Sequence, residues 1–238
     1  MQHFPAMLSS KLLWSVPTTP FAENVGAFSC FGPFCILGVA SSICVVEQAT
    51  MNIVSWLSGG HSPQACVTCI ACSQSNLADS GGGLQQALIA SGGTDGAIVT
   101  WILHQGSMLN ALLKPQQRDS SFSPREDQGK KQSVKSIRFT GSGSKLLVAL
   151  YEGSEVVLWD YLKGVVIWQS CLNPTQELTH MAQCPFSKTS LCITNDAGLV
   201  YILFVSEAEK ERERVQQVEY KISASDSQQF MRCRYVQV

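Results

Sequence analysis

Before residue 100 the chain carries only five charged side chains, Lys11, Glu23, Glu47, Asp79 and Asp95. Over all 238 residues the charged types make up 15%, where soluble domains carry about a quarter. So little charge means that much of the surface is uncharged or covered. A basic surplus is missing as well, since 17 Lys and Arg face 18 Asp and Glu. The net charge of −1 creates no field for a polyanion, and the pair Lys130-Lys131 is too short to supply one. Neither nucleic acid nor membrane insertion is therefore expected.

Motifs for catalysis and for phosphate binding are scarce too. There is no G-x-S-x-G and no H-E-x-x-H, and His3, His61, His104 and His180 lie far apart in the chain. The run Gly81-Gly82-Gly83 has no lysine beside it. After Gly141-Ser142-Gly143-Ser144-Lys145 comes Leu146 where a phosphate loop needs Ser or Thr, and an apolar strand-like run follows where it needs a helix. No enzyme activity and no cofactor are expected on these grounds.

The first residues, MQHFPAMLSSKLLWSV, hold one lysine, no compact apolar core and no small-residue cleavage site, which makes a poor secretion signal. An intracellular, cytoplasmic chain with reduced cysteines is the expectation. One uncharged stretch, residues 25–46, is long enough to span a membrane. Against a span stand Gly32-Pro33 and Gly38 within it, the pair Ser41-Ser42, and the acidic flanks Glu23 and Glu47. Three short buried strands fit the same residues better.

What the sequence does have is cysteine and regular apolar runs. Ten cysteines spread from Cys30 to Cys233, mostly inside strand-like runs such as FCILGVA, ICVV and LCITN, as small core residues do. Cys66, Cys69 and Cys72 (CVTCIAC) have the spacing that opens a metal or iron–sulfur ligand set. On a strand, residues three apart point to opposite faces, so Cys69 would face away from both neighbours, and no second pair at matching spacing follows. Buried thiols and a metal-binding or enzymatic all-β protein built on Cys66, Cys69 and Cys72 are the two readings of this cluster.

Apolar runs of four to seven residues alternate with Gly, Ser, Asn or Asp corners along the chain. That pattern predicts an all-β protein with closely spaced turns. The runs group in fours, which divides the chain into units over residues 25–57, 60–113, 133–170 and 178–222, with the start of a fifth at 230–238. Serial four-stranded units imply a β-propeller. Residues 114–132 (KPQQRDSSFSPREDQGKKQ, with Lys131) read as an exposed loop between the second and third units, and SEAEKERER (206–214) as a solvated hairpin loop within the fourth.

The second unit resembles a WD40 repeat. Gly60-His61 precedes ACVTCIACS, then come Ser91, the corner Asp95-Gly96 and Trp101, with Ile102 in place of the closing aspartate. The resemblance implies a buried hydrogen-bonded set of His61, Ser91, Asp95 and Trp101, in which the aspartate holds the histidine and the serine joins it to the indole N–H. The third unit is similar through its Trp159-Asp160 dipeptide, but has Gly153 at the turn aspartate and Ala149 at the serine. In the fourth unit, SLCITNDAGLVYILFV aligns Asp196 with the turn aspartate and Ile202 with the tryptophan; the first unit keeps almost none of the signature.

The resemblance implies a non-catalytic scaffold for protein–protein interaction. The third and fourth units are further similar to the first propeller of a long membrane-trafficking scaffold of that family, which implies a trafficking role. Four units are fewer than the roughly seven blades common in the family. An incomplete ring is thus expected, in a fragment, isoform or shortened relative of a larger propeller protein.

Overall fold

The computed structural model describes residues 27–75, 86–104, 107–109, 132–140, 146–161, 163–187, 189–205, 215–221 and 234–237. The segment 114–131, the run 206–214 and the corners at 81–83 and 141–145 lie outside the described residues.

Among the described residues seventeen strands fall into four antiparallel sheets in which sequence neighbours are also spatial neighbours. The first sheet holds β1 (Phe28–Phe31), β2 (Phe34–Val39), β3 (Ser42–Glu47) and β4 (Ile53–Leu57). The second holds β5 (Val67–Ser75), β6 (Gln86–Gly93), β7 (Ile98–His104) and β8 (Ser107–Leu109). The third holds β9 (Val134–Thr140), β10 (Leu146–Tyr151), β11 (Glu155–Asp160) and β12 (Val165–Cys171). The fourth holds β13 (His180–Gln183), β14 (Ser190–Thr194), β15 (Leu199–Val205), β16 (Val215–Lys221) and β17 (Arg234–Gln237).

This is the all-β, four-stranded-blade architecture of a β-propeller, and among the described residues the blades do not close into a ring. The bulk of the uncharged stretch, residues 28–46, lies in the three strands β1, β2 and β3 of one sheet and their turns, and no described helix is long and apolar enough to cross a membrane.

The blades stack face to face, leaving three apolar seams. Ile36, Ile43, Val45 and Leu57 of the first blade meet Val67, Ile89, Val99 and Trp101 of the second. Cys69, Leu88 and Ala90 meet Val134, Ile137, Phe139, Leu147 and Trp159 across the next seam. In the third seam Leu146, Val148, Leu150, Val156 and Leu158 meet Leu191, Ile193, Tyr201 and Leu203.

These seams explain two kinds of apolar run. A strand buried on both faces gains from apolar side chains at every position, and β10 (LLVALY) is buried at all six. A strand with one free face shows period two, and β15 (LVYILFV) alternates buried and more open positions.

Hydrogen bonds tie each blade to the next. Val67 N–H at the start of β5 donates to Ala40 O in the β2–β3 turn at 2.7 Å. The Thr68 hydroxyl on β5 donates to Val134 O at the start of β9. The Ser154 hydroxyl, in the turn between β10 and β11, donates to Gln176 O and accepts from Leu178 N–H, each at 2.9 Å. The first strands of the four blades, β1, β5, β9 and β13, lie beside one another in that order.

The structure places the chain's end differently from the sequence pattern. That pattern puts the start of a fifth unit at residues 230–238, but β17 pairs antiparallel with β16, Val218 opposite Tyr235, as a fifth strand of the fourth sheet. A strand edge is a row of unpaired donors and acceptors, and β17 pairs with the one that β16 presents.

Candidate functional site

The second blade brings His61, Ser91, Asp95 and Trp101 together. Ser91 lies on β6 directly opposite Val99 on β7, and Ile89 opposite Trp101, so Ser91 and Trp101 sit on adjacent strands two residues out of register. Asp95 sits in the β6–β7 corner, which closes through Gly93 N–H to Ala97 O and Gly96 N–H to Gly93 O. Gly96 has φ +72°, left-handed backbone that suits glycine.

The four side chains form one hydrogen-bonded chain. Trp101 Nε1–H donates to Ser91 Oγ at 3.3 Å. Ser91 Oγ and His61 Nε2 are 2.9 Å apart, and His61 Nδ1 and Asp95 Oδ1 3.2 Å. With Nδ1–H donating to the carboxylate, Nε2 is left to accept the Ser91 hydroxyl proton, and every donor in the series points the same way. The second carboxylate oxygen accepts Ser62 N–H at 2.9 Å, and Oδ1 also accepts Ala97 N–H at 3.2 Å. Ser91, Trp101 and His61 are all buried.

Burial by itself pushes the Asp95 carboxyl up. The hydrogen bond from His61, Ser62 N–H, the electrostatic attraction of the His61 ring and Ala97 N–H together outweigh it and hold the group at about 2. A carboxylate held ionised by donors on both oxygens has no proton to give and little basicity to offer. The arrangement thus spends its polar groups on each other, and what it does chemically is fix the corner onto the segment that leads into β5.

Two glycines belong to this site as closely as the side chains. A Cβ on Gly93 would stand 2.6 Å from both Asp95 Oδ1 and His61 Nδ1, and one on Gly60 2.6 Å from Trp101 Cζ2. Gly60 was visible in its pairing with His61; Gly93 carries no sequence signal beyond belonging to a glycine pair. Thr94 was missed as well: its hydroxyl accepts Cys66 N–H at 2.9 Å and holds the corner to the β5 lead-in a second time.

In the third blade Ala149 is paired with Val157 and Leu147 with Trp159, the same offset as Ser91–Val99 and Ile89–Trp101. Trp159 therefore stands where Trp101 stands, but its buried Nε1–H has no hydrogen-bond partner among the described residues. Asp160 turns to the following loop, accepting Lys163 N–H at 3.0 Å. The corner is held instead by Glu152, which accepts Ser133 N–H at 3.2 Å and pairs with Lys135 at 3.3 Å.

The fourth blade requires a correction of one residue. Asn195 N–H donates to Leu199 O and Gly198 N–H to Asn195 O, matching the bonds of Gly93 and Gly96. In that frame Leu203, paired with Leu191 and buried, occupies the tryptophan position, and Ala197 the aspartate position. Ile202 points to the other face, and Asp196 is exposed beside His180 at 3.6 Å. Asn195 shapes the corner by accepting Leu199 N–H at 2.9 Å.

The cysteine cluster divides between two seams. Cys69 lies in the seam toward the third blade, where burial pushes its thiol up to about 12. Cys72 packs into the seam toward the first blade and burial takes it to about 11. Among the described residues no group of three His, Cys, Asp or Glu side chains is placed to hold a metal ion, and none of the described cysteines is in a disulfide.

No family model matches the chain, and no curated protein matches it. Solved structures do. Raptor of Chaetomium thermophilum superposes with a TM-score of 0.55 at 13% identity, over 78% of this chain and 15% of that one. A chain of the mitotic checkpoint complex gives 0.47 at 14% identity, over 82% of this chain and 61% of that one. The β-propeller domain of Myceliophteria thermophila Cps50 (Swd1) gives 0.44 at 12% identity, over 86% and 75%. The chain thus spans less than two thirds of the first two. The likeness to Raptor is one of fold, in line with the β-propeller architecture of the four sheets.

Proposed function

We propose that this chain is a non-catalytic WD-repeat scaffold that binds other proteins in the cytoplasm. One observation carries the reading. The polar residues that the sequence singles out, His61, Ser91, Asp95 and Trp101, bond to each other inside a blade and present no reactive atom to a substrate. Their service is to the shape of the blade, and a shaped propeller with open apolar side chains such as Trp56, Ile53 and Phe186 is a surface for partners. Fold likeness alone would not select a function.

The narrower reading, a trafficking scaffold akin to the first propeller of WD repeat-containing protein eleven, rests on the residue patterns of the third and fourth units. Affinity capture of the tagged chain from cells, with a shape-disrupted Asp95→Ala chain as control, tests both readings. Partners enriched with the wild type and lost with the control are expected, and trafficking proteins among them would favour the narrower one. Enrichment of nothing over the control overturns the scaffold reading. So does stoichiometric zinc or iron that is lost on Cys66→Ser and Cys69→Ser substitution.

A further inference from the structure

The first blade opens with a two-residue hairpin. Gly32, at φ +53°, and Pro33 connect β1 to β2, and the strands pair Phe31 with Phe34 and Cys30 with Cys35. The two sulfurs are 3.9 Å apart, and both thiols are free, Cys30 exposed and Cys35 half-buried.

Cross-strand geometry makes this pair distinct from the other cysteines. In an antiparallel ladder, hydrogen-bonded and non-hydrogen-bonded pairs alternate. The residues flanking a two-residue turn form the hydrogen-bonded pair, so the next pair, Cys30–Cys35, is the close, non-hydrogen-bonded kind. Its Cα atoms are then about 4.5 Å apart, at the short end of the range that a disulfide spans. Cβ atoms across such a pair are set slightly wide of the disulfide ideal, which makes a bond there easy to reduce.

We propose that Cys30 and Cys35 are a redox-sensitive dithiol that closes with a low-molecular-weight disulfide, such as glutathione disulfide, and reopens with a dithiol reductant. The Cys30 thiolate attacks one sulfur of glutathione disulfide and expels a glutathione thiolate, leaving a mixed disulfide on Cys30. The Cys35 thiolate then attacks the Cys30 sulfur and expels the second glutathione. Two protein thiols lose two protons and two electrons, and glutathione disulfide takes up both as two molecules of glutathione.

The choice of pair follows from access. Cys72 lies near Cys30, but it is half-buried against the seam with its thiol pushed up to about 11, whereas Cys35 stands directly across the β1–β2 ladder with its sulfur 3.9 Å from that of Cys30. Cys171 is exposed, but its sulfur contacts Gly153 O at 3.4 Å and no second thiol is its partner among the described residues. It is the internal control, a thiol that can form a mixed disulfide and go no further. Closing the bond would pin β1, the first strand of the blade, to β2 covalently.

The test treats the full chain with glutathione disulfide, quenches it in acid and digests it with pepsin, which cuts at Phe31 and Phe34 between the two cysteines. The expected product is a Cys30 peptide joined to a Cys35 peptide, released by dithiothreitol, while Cys171 carries glutathione. Cys30→Ser and Cys35→Ser are each expected to stop at a mixed disulfide on the remaining cysteine. In the oxidised wild type, hydrogen exchange of the 28–31 amides is expected to slow severalfold. Stable glutathione adducts on Cys30 or Cys35 in the wild type, a Cys30–Cys72 bond, or no reaction at either while Cys171 reacts would each overturn the proposal.

Discussion

Ala149 occupies on β10 the register position that Ser91 occupies on β6, and the indole N–H of Trp159 is buried without an acceptor among the described residues. At this register position the two strand pairs have the same pairing offset, and the serine hydroxyl of one is missing from the other. An unpaired buried donor costs about 1–3 kcal/mol, and supplying its partner recovers part of that. Ala149→Ser is expected to raise the urea midpoint by the equivalent of about 1 kcal/mol, the new hydroxyl accepting from Trp159 and donating to Val157 O. An unchanged or lower midpoint would show that Trp159 has no need of the acceptor.

The second blade supplies the reverse experiment. His61→Ala or Asp95→Ala strands a partner in the interior and is expected to lower stability by about 1–3 kcal/mol. Equal thermal melting of both variants and the wild type would mean that the chain of hydrogen bonds contributes nothing.

Asp95 also sets a pH dependence. Its folded-state value of about 2 lies below the 3.8 of an unperturbed carboxyl. A depressed group contributes stability that is fully present above about pH 4 and is lost as pH falls through about 2. The stability gap between wild type and Asp95→Asn is therefore expected to narrow over that acid range, measured by urea unfolding at each pH. A gap that stays constant down to about pH 2 would contradict the ionised carboxylate.

Adjacent glycines separate crowding from backbone strain. Gly60 has no room for a Cβ against Trp101 and Val99, whereas Gly59 has open space around it and φ +84°. Gly60→Ala is expected to cost about 2–3 kcal/mol through overpacking, and Gly59→Ala about 1 kcal/mol through strain alone. Gly93→Ala belongs with the first class, since its Cβ would meet Asp95 and His61. Calorimetric melting of the three variants orders them.

Thiol labelling should follow burial. Cys30 and Cys171 are exposed, while Cys69 and Cys44 are buried and their thiols raised by that burial. Timed alkylation with mass spectrometry is expected to modify the first two early and the last two only on unfolding. Early loss of Cys69 would mean that the seam between the second and third blades opens readily.

The hydrogen-bonded set in the second blade was legible because all but one of its members belong to a single hairpin. Ser91, Asp95 and Trp101 lie within eleven residues, where turn chemistry and strand alternation leave little freedom. His61 came with them only through the resemblance. The fourth blade shows the cost of reading spacing without register: counting six residues from Asp196 leads to Ile202, whereas the corner's hydrogen bonds put Leu203 at the tryptophan position. One residue of shift in a strand exchanges its faces, and nothing in NDAG says which residue closes the turn.

By itself, then, the amino-acid order determined the local elements of this protein: strands from apolar runs, corners from Gly, Asn and Asp, and the one hairpin whose polar residues complete each other. Those features depend on torsions and contacts a few residues apart. Only the tertiary structure decided that Thr68 reaches Val134 across a seam, which neighbouring blade Cys69 and Cys72 each face, and that β17 completes the fourth sheet. Each of these joins surfaces that are distant in the chain, and apolar faces pack with any complementary partner. Their pairing is settled by stacking geometry and by the hydrogen bonds left to satisfy, which the order of residues does not state.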